Sequence, residues 1–304
     1  MGRVVAVIAI SLATTAGHST PVSQPAEPRR LTCALRQFDS GRGTLAYRDC
    51  GRGAPVIIVP GGPGLDADYM ARLADEVVHD GKRAILLEPR GTGASRTAIG
   101  DGSELTVAGS VADVEALRIA IGAERVTLIG HSFGGAVVQA YAAAHHDRVA
   151  RLVLVDSVGP TMRAPPGSLD SWRSRADAAT LATYDDLRRK GDRIGAMRIK
   201  FIASFYDVGR GRAFIGGLPD SSIHTDVGRL AEDYAKNYDV TGAPPATFPV
   251  IIVTGDIDWI RGYEQALAKT YPKARTIIVR HAGHFSWIDS PASGRAALRS
   301  ALAG

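Results

Sequence analysis

What most constrains the fold of this chain is a rhythm. Six short apolar runs, at residues 56–59, 84–87, 126–129, 152–155, 250–253 and 276–279, are rich in β-branched residues and bounded by glycine or polar turns. Runs this short that stay apolar without alternating suit strands covered on both faces, as in a parallel sheet. Helical patterns lie between them, at 70–79, 107–121, 136–145, 263–271 and 291–303. The alternation predicts an α/β fold built on a doubly wound, mostly parallel sheet. Two further strands, at 31–38 and 44–50, read as a hairpin around Ser40-Gly41-Arg42-Gly43. Residues 159–248 break the rhythm. They hold no buried-strand run, but arginines, aspartates and aromatics such as Trp172, Phe201 and Tyr234 stand at helical spacing. Because sheet signals resume at Val250, this stretch reads as a helical cap inserted between a first core part, 31–158, and a second, 249–304.

The first twenty residues differ from all of this. One arginine precedes an apolar stretch from Val4 to Ala13, small residues follow at Thr14-Thr15-Ala16, and proline-punctuated polar sequence runs on to Arg30. That layout is a secretory signal peptide over 1–20 with a linker over 21–30, and it predicts a secreted or extracytoplasmic protein with no stable membrane insertion after cleavage. The remaining composition is that of an ordinary globule, 45% hydrophobic and 22% charged. Two cysteines exclude a disulfide-dense scaffold and a four-cysteine zinc site. The net charge of +5 comes without basic runs interleaved with aromatics, so no nucleic-acid partner is expected. The hairpin makes a prediction for the two cysteines. With Gly41 and Arg42 at the turn, 40 pairs with 43, 39 with 44, and so outward to Cys33 with Cys50. Counting from the hydrogen-bonded first pair, the cysteines fall on a non-hydrogen-bonded pair, the closer kind, within disulfide range.

The most informative string is Val126-Thr127-Leu128-Ile129-Gly130-His131-Ser132-Phe133-Gly134-Gly135, a strand that runs into G-x-S-x-G and on into a helix. This is a nucleophile elbow: glycine two residues either side of the serine lets neighbouring elements approach, and the hydroxyl is raised at a helix N-terminus. An elbow needs donors for a developing oxyanion. The N–H of Phe133, just after Ser132, is one; the glycine string Pro60-Gly61-Gly62-Pro63-Gly64 after a strand offers the second, from Gly62 with Gly61 behind it.

On these strings the chain resembles the α/β-hydrolase superfamily. Its Pro60-to-Gly64 loop is similar to the H-G-G-P-G loop of proline iminopeptidase-like hydrolases, with proline in place of histidine. Glu88-Pro89-Arg90-Gly91-Thr92-Gly93-Ala94-Ser95 is similar to their D-x-R-G-x-G-x-S segment, with glutamate in place of aspartate. Glu88 and Arg90 are expected to form a loop-bracing ion pair. The resemblance implies the chain order serine, acid, histidine. The family's G-x-x-D after the strand at 250–253 selects Asp258, with Asp256 as the fallback, and its A-G-H-F setting selects His284 as the base. Asp156 reads as structural, His281 as a loop residue, His145 and His146 as helix-end residues, and His131 as pointing away from the nucleophile. The catalytic set is therefore Ser132, Asp258 and His284.

The implied activity is a serine hydrolase that cleaves an ester or amide, N-terminal aminoacyl bonds included, in a small molecule or short peptide, without metal or other cofactor. Serine at the elbow excludes the aspartate chemistry of dehalogenases and epoxide hydrolases. Two alternatives remain: an acyltransferase using the same acyl-enzyme, or a ligand-binding member of the fold. In the cap, Glu232 and Asp233 are the candidate carboxylates for a substrate ammonium group. Oligomeric state is not encoded legibly.

Overall fold

The computed structural model describes residues 33–162 and 172–303. The signal peptide and linker read from the sequence, and Leu31 and Thr32 of the predicted hairpin, lie outside them. The strands are β1 (Ala34–Asp39), β2 (Thr44–Gly51), β3 (Pro55–Val59), β4 (Arg83–Glu88), β5 (Val126–His131), β6 (Val149–Val155), β7 (Val250–Gly255) and β8 (Arg275–Val279). They form one eight-stranded sheet in the order β1-β2-β4-β3-β5-β6-β7-β8. β2 pairs antiparallel with both β1 and β4, and every later pairing is parallel.

The helices are α1 (Ala71–His79), α2 (Val107–Ala120), α3 (Phe133–Ala144), α4 (Trp172–Arg175), α5 (Ala178–Arg189), α6 (Arg193–Ala203), α7 (Val208–Gly216), α8 (Gly228–Asn237), α9 (Glu264–Thr270), α10 (Ser286–Asp289) and α11 (Pro291–Leu302). They cover both sheet faces, which is why the central strands are apolar throughout. Successive residues of a strand face opposite ways. Ile57 and Val59 pack with Val114 of α2 and Val137 of α3, while Val56 and Ile58 pack with Leu73 of α1 and Leu298 of α11.

The hairpin has the register expected from its turn, with Asp39 opposite Thr44 and Ala34 opposite Asp49. Cys33 and Cys50 follow one step further out and are joined by a disulfide with their Cα atoms 4.4 Å apart. A bridge closing a loop of this size adds about 3 kcal/mol in the chain-entropy account, here at the open edge of the sheet.

Between β6 and β7 the described chain forms α4 to α8. Three of these helices start on aspartates. The side chains of Asp177, Asp192 and Asp207 accept from the backbone N–H groups of Thr180, Gly195 and Arg210, and each such cap is worth about 1 kcal/mol. The last of the five helices differs from the others: Leu230 and Tyr234 of α8 join the core on the α2 and α3 face. The inserted segment thus returns to the body of the fold before β7 begins.

The Glu88–Arg90 pair expected from the sequence does not form. The two side chains diverge where the chain leaves β4, and each finds another partner. Glu88 is wholly buried and pairs with Arg48 at 2.8 Å, while Arg90 grips Asp113 at 2.7 Å and 3.0 Å. Both still brace loops: Arg90 also donates to the carbonyls of Arg42 and Ala98.

Candidate active site

Ser132 stands between the end of β5 and the first residue of α3, with φ 53° and ψ −120°. A non-glycine residue held there stores on the order of 1–3 kcal/mol of strain, and the surrounding glycines explain how it is held. A Cβ at Gly130 would meet the Gly134 carbonyl and Val138, and one at Gly134 would collide with the carbonyls of Val59 and Pro60. The turn exists because β3, β5 and α3 approach more closely than any side chain allows. Hydrogen bonds from Ser132 N–H to the Val155 carbonyl and from Gly135 N–H to the Ser132 carbonyl complete it.

The three residues selected from the sequence come together. Ser132 Oγ lies 2.8 Å from His284 Nε2, and His284 Nδ1 lies 3.0 Å and 3.1 Å from the two oxygens of Asp258. All three are buried. A carboxylate only accepts, so Nδ1 carries the proton, and the lone pair on Nε2 faces the serine hydroxyl. Asp258 is held in turn by the N–H of Ile260 at 3.2 Å. Asp256, the fallback acid, serves the backbone instead. It accepts from the N–H of Ala282 and so fixes the loop that carries His284. Burial raises its pKa, but the N–H groups of Ala282 and His281 outweigh this and hold it below the usual value.

The glycine loop after β3 meets the elbow directly: a Cβ on Gly61 would touch Ser132 Cβ and the His131 backbone carbonyl. The N–H of Gly61 donates to Tyr69 Oη at 2.5 Å, so Gly61 is not available as an oxyanion donor. No described hydrogen bond uses the N–H of Gly62. The N–H of Phe133 is the first of α3, one of the terminal donors that no carbonyl of its own helix can satisfy. Alongside runs a cleft whose wall combines apolar residues, Pro63, Leu87, Leu105, Phe133, Val227 and Leu230, with the charged Arg90, Glu104 and Asp113. Gly61 and Phe133 belong to its wall, whereas Ser132 itself does not.

Sequence reasoning gave His131 no role, and the structure gives it one. Its Nε2 lies 2.8 Å from the His284 carbonyl and its Nδ1 lies 2.8 Å from Tyr69 Oη. A carbonyl requires a donor, so Nε2 carries the proton, Nδ1 accepts from the tyrosine hydroxyl, and that hydroxyl accepts from Gly61. Burial, then the neighbouring His284, push His131 well below the ordinary histidine value, which keeps this neutral form. One buried chain thereby joins the glycine loop, the elbow and the base loop.

Asp156, expected to be structural, takes the N–H of Gly255 on one oxygen and that of Ser286 on the other. It ties the ends of β6 and β7 to the segment after His284. Burial first, and the charge of Asp258 second, push its carboxyl up to about 7. Asp289 does similar work, accepting from Gly283, Tyr206 and Asp207 and so joining the base loop to the start of α7.

The two cap carboxylates proposed for an ammonium group do not join the site. Asp233 accepts from the N–H of Val107 at the start of α2, and Glu232 is exposed beside Lys236. They lie on α8, whose buried stripe is Leu230 and Tyr234: Glu232 falls on the opposite, exposed face, while Asp233, beside the stripe, is taken up by the start of α2. Among the described residues no helix is long and apolar enough to cross a membrane.

The family model described as alpha/beta hydrolase fold matches residues 54–291. A proline iminopeptidase of Xylella fastidiosa is 39% identical over 113 residues, which cover 36% of this chain and 35% of that protein. The chain thus spans about a third of the length of the curated proline iminopeptidases it matches. Among solved structures, an alpha/beta fold family hydrolase from Bacillus anthracis str. Sterne has a TM-score of 0.71 at 18% identity, over 89% of this chain and 99% of that one. An esterase from Exiguobacterium antarcticum has a TM-score of 0.69 at 17% identity, over 87% and 97%. At these identities the structural likeness is one of fold.

Proposed function

The chain belongs to the alpha/beta hydrolase fold family, and from that premise we propose that it is an exported serine hydrolase working through an acyl-enzyme on Ser132. The observation that carries this reading is the continuous line from Asp258 through His284 to Ser132, with the serine on a strained elbow. His284 Nε2 takes the Ser132 proton as the oxygen attacks an acyl carbonyl, and Asp258 stabilises the imidazolium that results. The N–H groups of Phe133 and Gly62 receive the oxyanion, each worth about 3 kcal/mol in comparable sites. His284 then protonates the leaving group, and water repeats the sequence on the acyl-enzyme.

An ester is the favoured bond. Holding the ammonium of an aminoacyl substrate requires free carboxylates facing the site: Asp233 is bonded to the start of α2, Glu232 lies exposed on α8, and the two that line the cleft, Glu104 and Asp113, are paired with Arg42 and Arg90. The apolar part of the cleft, around Phe133, Leu105 and Leu230, suits an alkyl or aryl group of the substrate. Export is supported by the Cys33–Cys50 bridge, since disulfides persist in oxidising compartments. The test is a panel of 4-nitrophenyl esters and aminoacyl 4-nitroanilides with wild type and Ser132→Ala. We expect ester turnover that the alanine variant loses. Equal turnover by both proteins contradicts the reading.

A further inference from the structure

We propose that Lys200 and Trp259 form a subsite for a carboxylate carried by the substrate, at the end remote from the bond that is cleaved. This rests on the reading of Ser132 as nucleophile and adds the substrate's charge to it. The two residues come from different parts of the chain and meet beside the base. Trp259 directly follows Asp258, and its ring lies 5.2 Å from the His284 ring. Lys200 is near the end of α6, and its ammonium lies 5.2 Å from the centre of the Trp259 ring. The end of α6 is fixed against the base itself: the Ser204 carbonyl accepts from His284 N–H at 2.9 Å, and Phe201 packs edge-on against Phe285. The Ser204 hydroxyl also donates to the Lys200 carbonyl. Lys200 is thus held in place relative to the reacting atoms.

Its charge is unanswered by the protein. Among the described residues the Lys200 ammonium has no ion pair and no hydrogen bond. Burial alone pushes it below the ordinary lysine value, with no charged neighbour acting on it. Lys200 is half-buried: its stem is covered, and its ammonium is not sealed from water but meets no carboxylate or carbonyl of the protein. Arg198, two residues earlier, shows the contrast, since it donates to the Ile215 and Leu218 carbonyls and to Asp220. A ring face attracts a cation but does not replace its hydration. Trp259 adds a second unanswered donor: its indole Nε1 is buried with no acceptor. A cation over the ring and an indole N–H, neither with an acceptor from the protein, suit an anion with more than one oxygen. The substrate class that supplies it next to a cleavable ester is the half-ester of a short dicarboxylic acid.

The experiment compares 4-nitrophenyl half-esters of succinate and glutarate with neutral 4-nitrophenyl butyrate, using wild type, Lys200→Met and Lys200→Arg. We expect the half-ester to butyrate ratio of kcat/KM to fall about tenfold to a hundredfold in the methionine variant and to recover in the arginine variant. A second readout needs no turnover: glutarate should raise the Tm of wild type and of Ser132→Ala but not of Lys200→Met. Turnover absent from wild type, or equal in Ser132→Ala, with a Lys200-dependent glutarate shift overturns the nucleophile and leaves the subsite. A ratio that does not respond to position 200, together with a glutarate shift equal in all variants or absent from all, overturns the subsite.

Discussion

At Ser132, Gly130 and Gly134 matter for what they lack, since the chain crossings they permit hold the serine at positive φ. The acid was harder to read than the nucleophile, because two aspartates flank Ile257 and only the family spacing favours the second. Geometry tells them apart, since Asp258 meets the imidazole and Asp256 meets the Ala282 backbone. Asp258→Asn should therefore lower kcat by about 10⁴-fold through the wrong imidazole tautomer, with a much smaller loss for Asp256→Asn. Steady-state kinetics on one ester decides this, and a larger loss at 256 contradicts the assignment. Tyr69 was not legible at all, since nothing local distinguishes it from a core tyrosine. Tyr69→Phe removes the acceptor for Gly61 and the donor for His131, leaving buried groups unpaired at a cost of about 1–3 kcal/mol. Because those groups set the glycine loop against the elbow, kcat should drop roughly tenfold or more with KM little changed. A Tyr69→Phe enzyme with wild-type kcat contradicts that positioning role.

The elements were legible wherever period and punctuation agree. β3 to β8 all fall on the apolar runs; β3 to β7 do so because strands covered by helices on both faces have no polar face to blur them, whereas β8, at the end of the sheet, is largely exposed. The hairpin register followed from turn length alone, and the bridge followed from the register. Partners of charged side chains did not follow, as Glu88 and Arg90 illustrate: sequence proximity is a poor guide once a strand end sends neighbours in different directions. The Asp156 junction also escaped reading, because its two N–H donors come from Gly255 and Ser286, far along the chain. It carries a pH prediction. In the fold this carboxyl titrates at about 7, against about 4 in the unfolded chain. The folded state thus binds the proton more tightly, so the stability it contributes is complete below about pH 4 and is lost as pH rises through about 7. Asp156→Asn, neutral at every pH, should lack that contribution. Urea unfolding at pH 5 and pH 8 should show wild type losing more stability on going to the higher pH than the variant. Equal losses contradict the raised titration.

At the scale of the whole molecule, the fold gathers residues that the sequence keeps apart: 152 positions separate Ser132 from His284, and 26 separate Asp258 from it. The sheet does this by ending β5, β7 and β8 along one edge, so that three loops converge there. The inserted helices add the wall that carries Lys200, and its make-up was not legible in the sequence. Helical spacing announces that such helices exist, but which face of each turns to the site depends on packing between α5, α6 and α7. The whole catalytic reading stands or falls on one group, the hydroxyl of Ser132. Incubation with a fluorophosphonate, followed by intact mass and peptide mapping, measures it directly. The expected result is a single adduct on the peptide that contains Ser132 and none in Ser132→Ala. An adduct on another residue, or one that persists in the alanine variant, contradicts it.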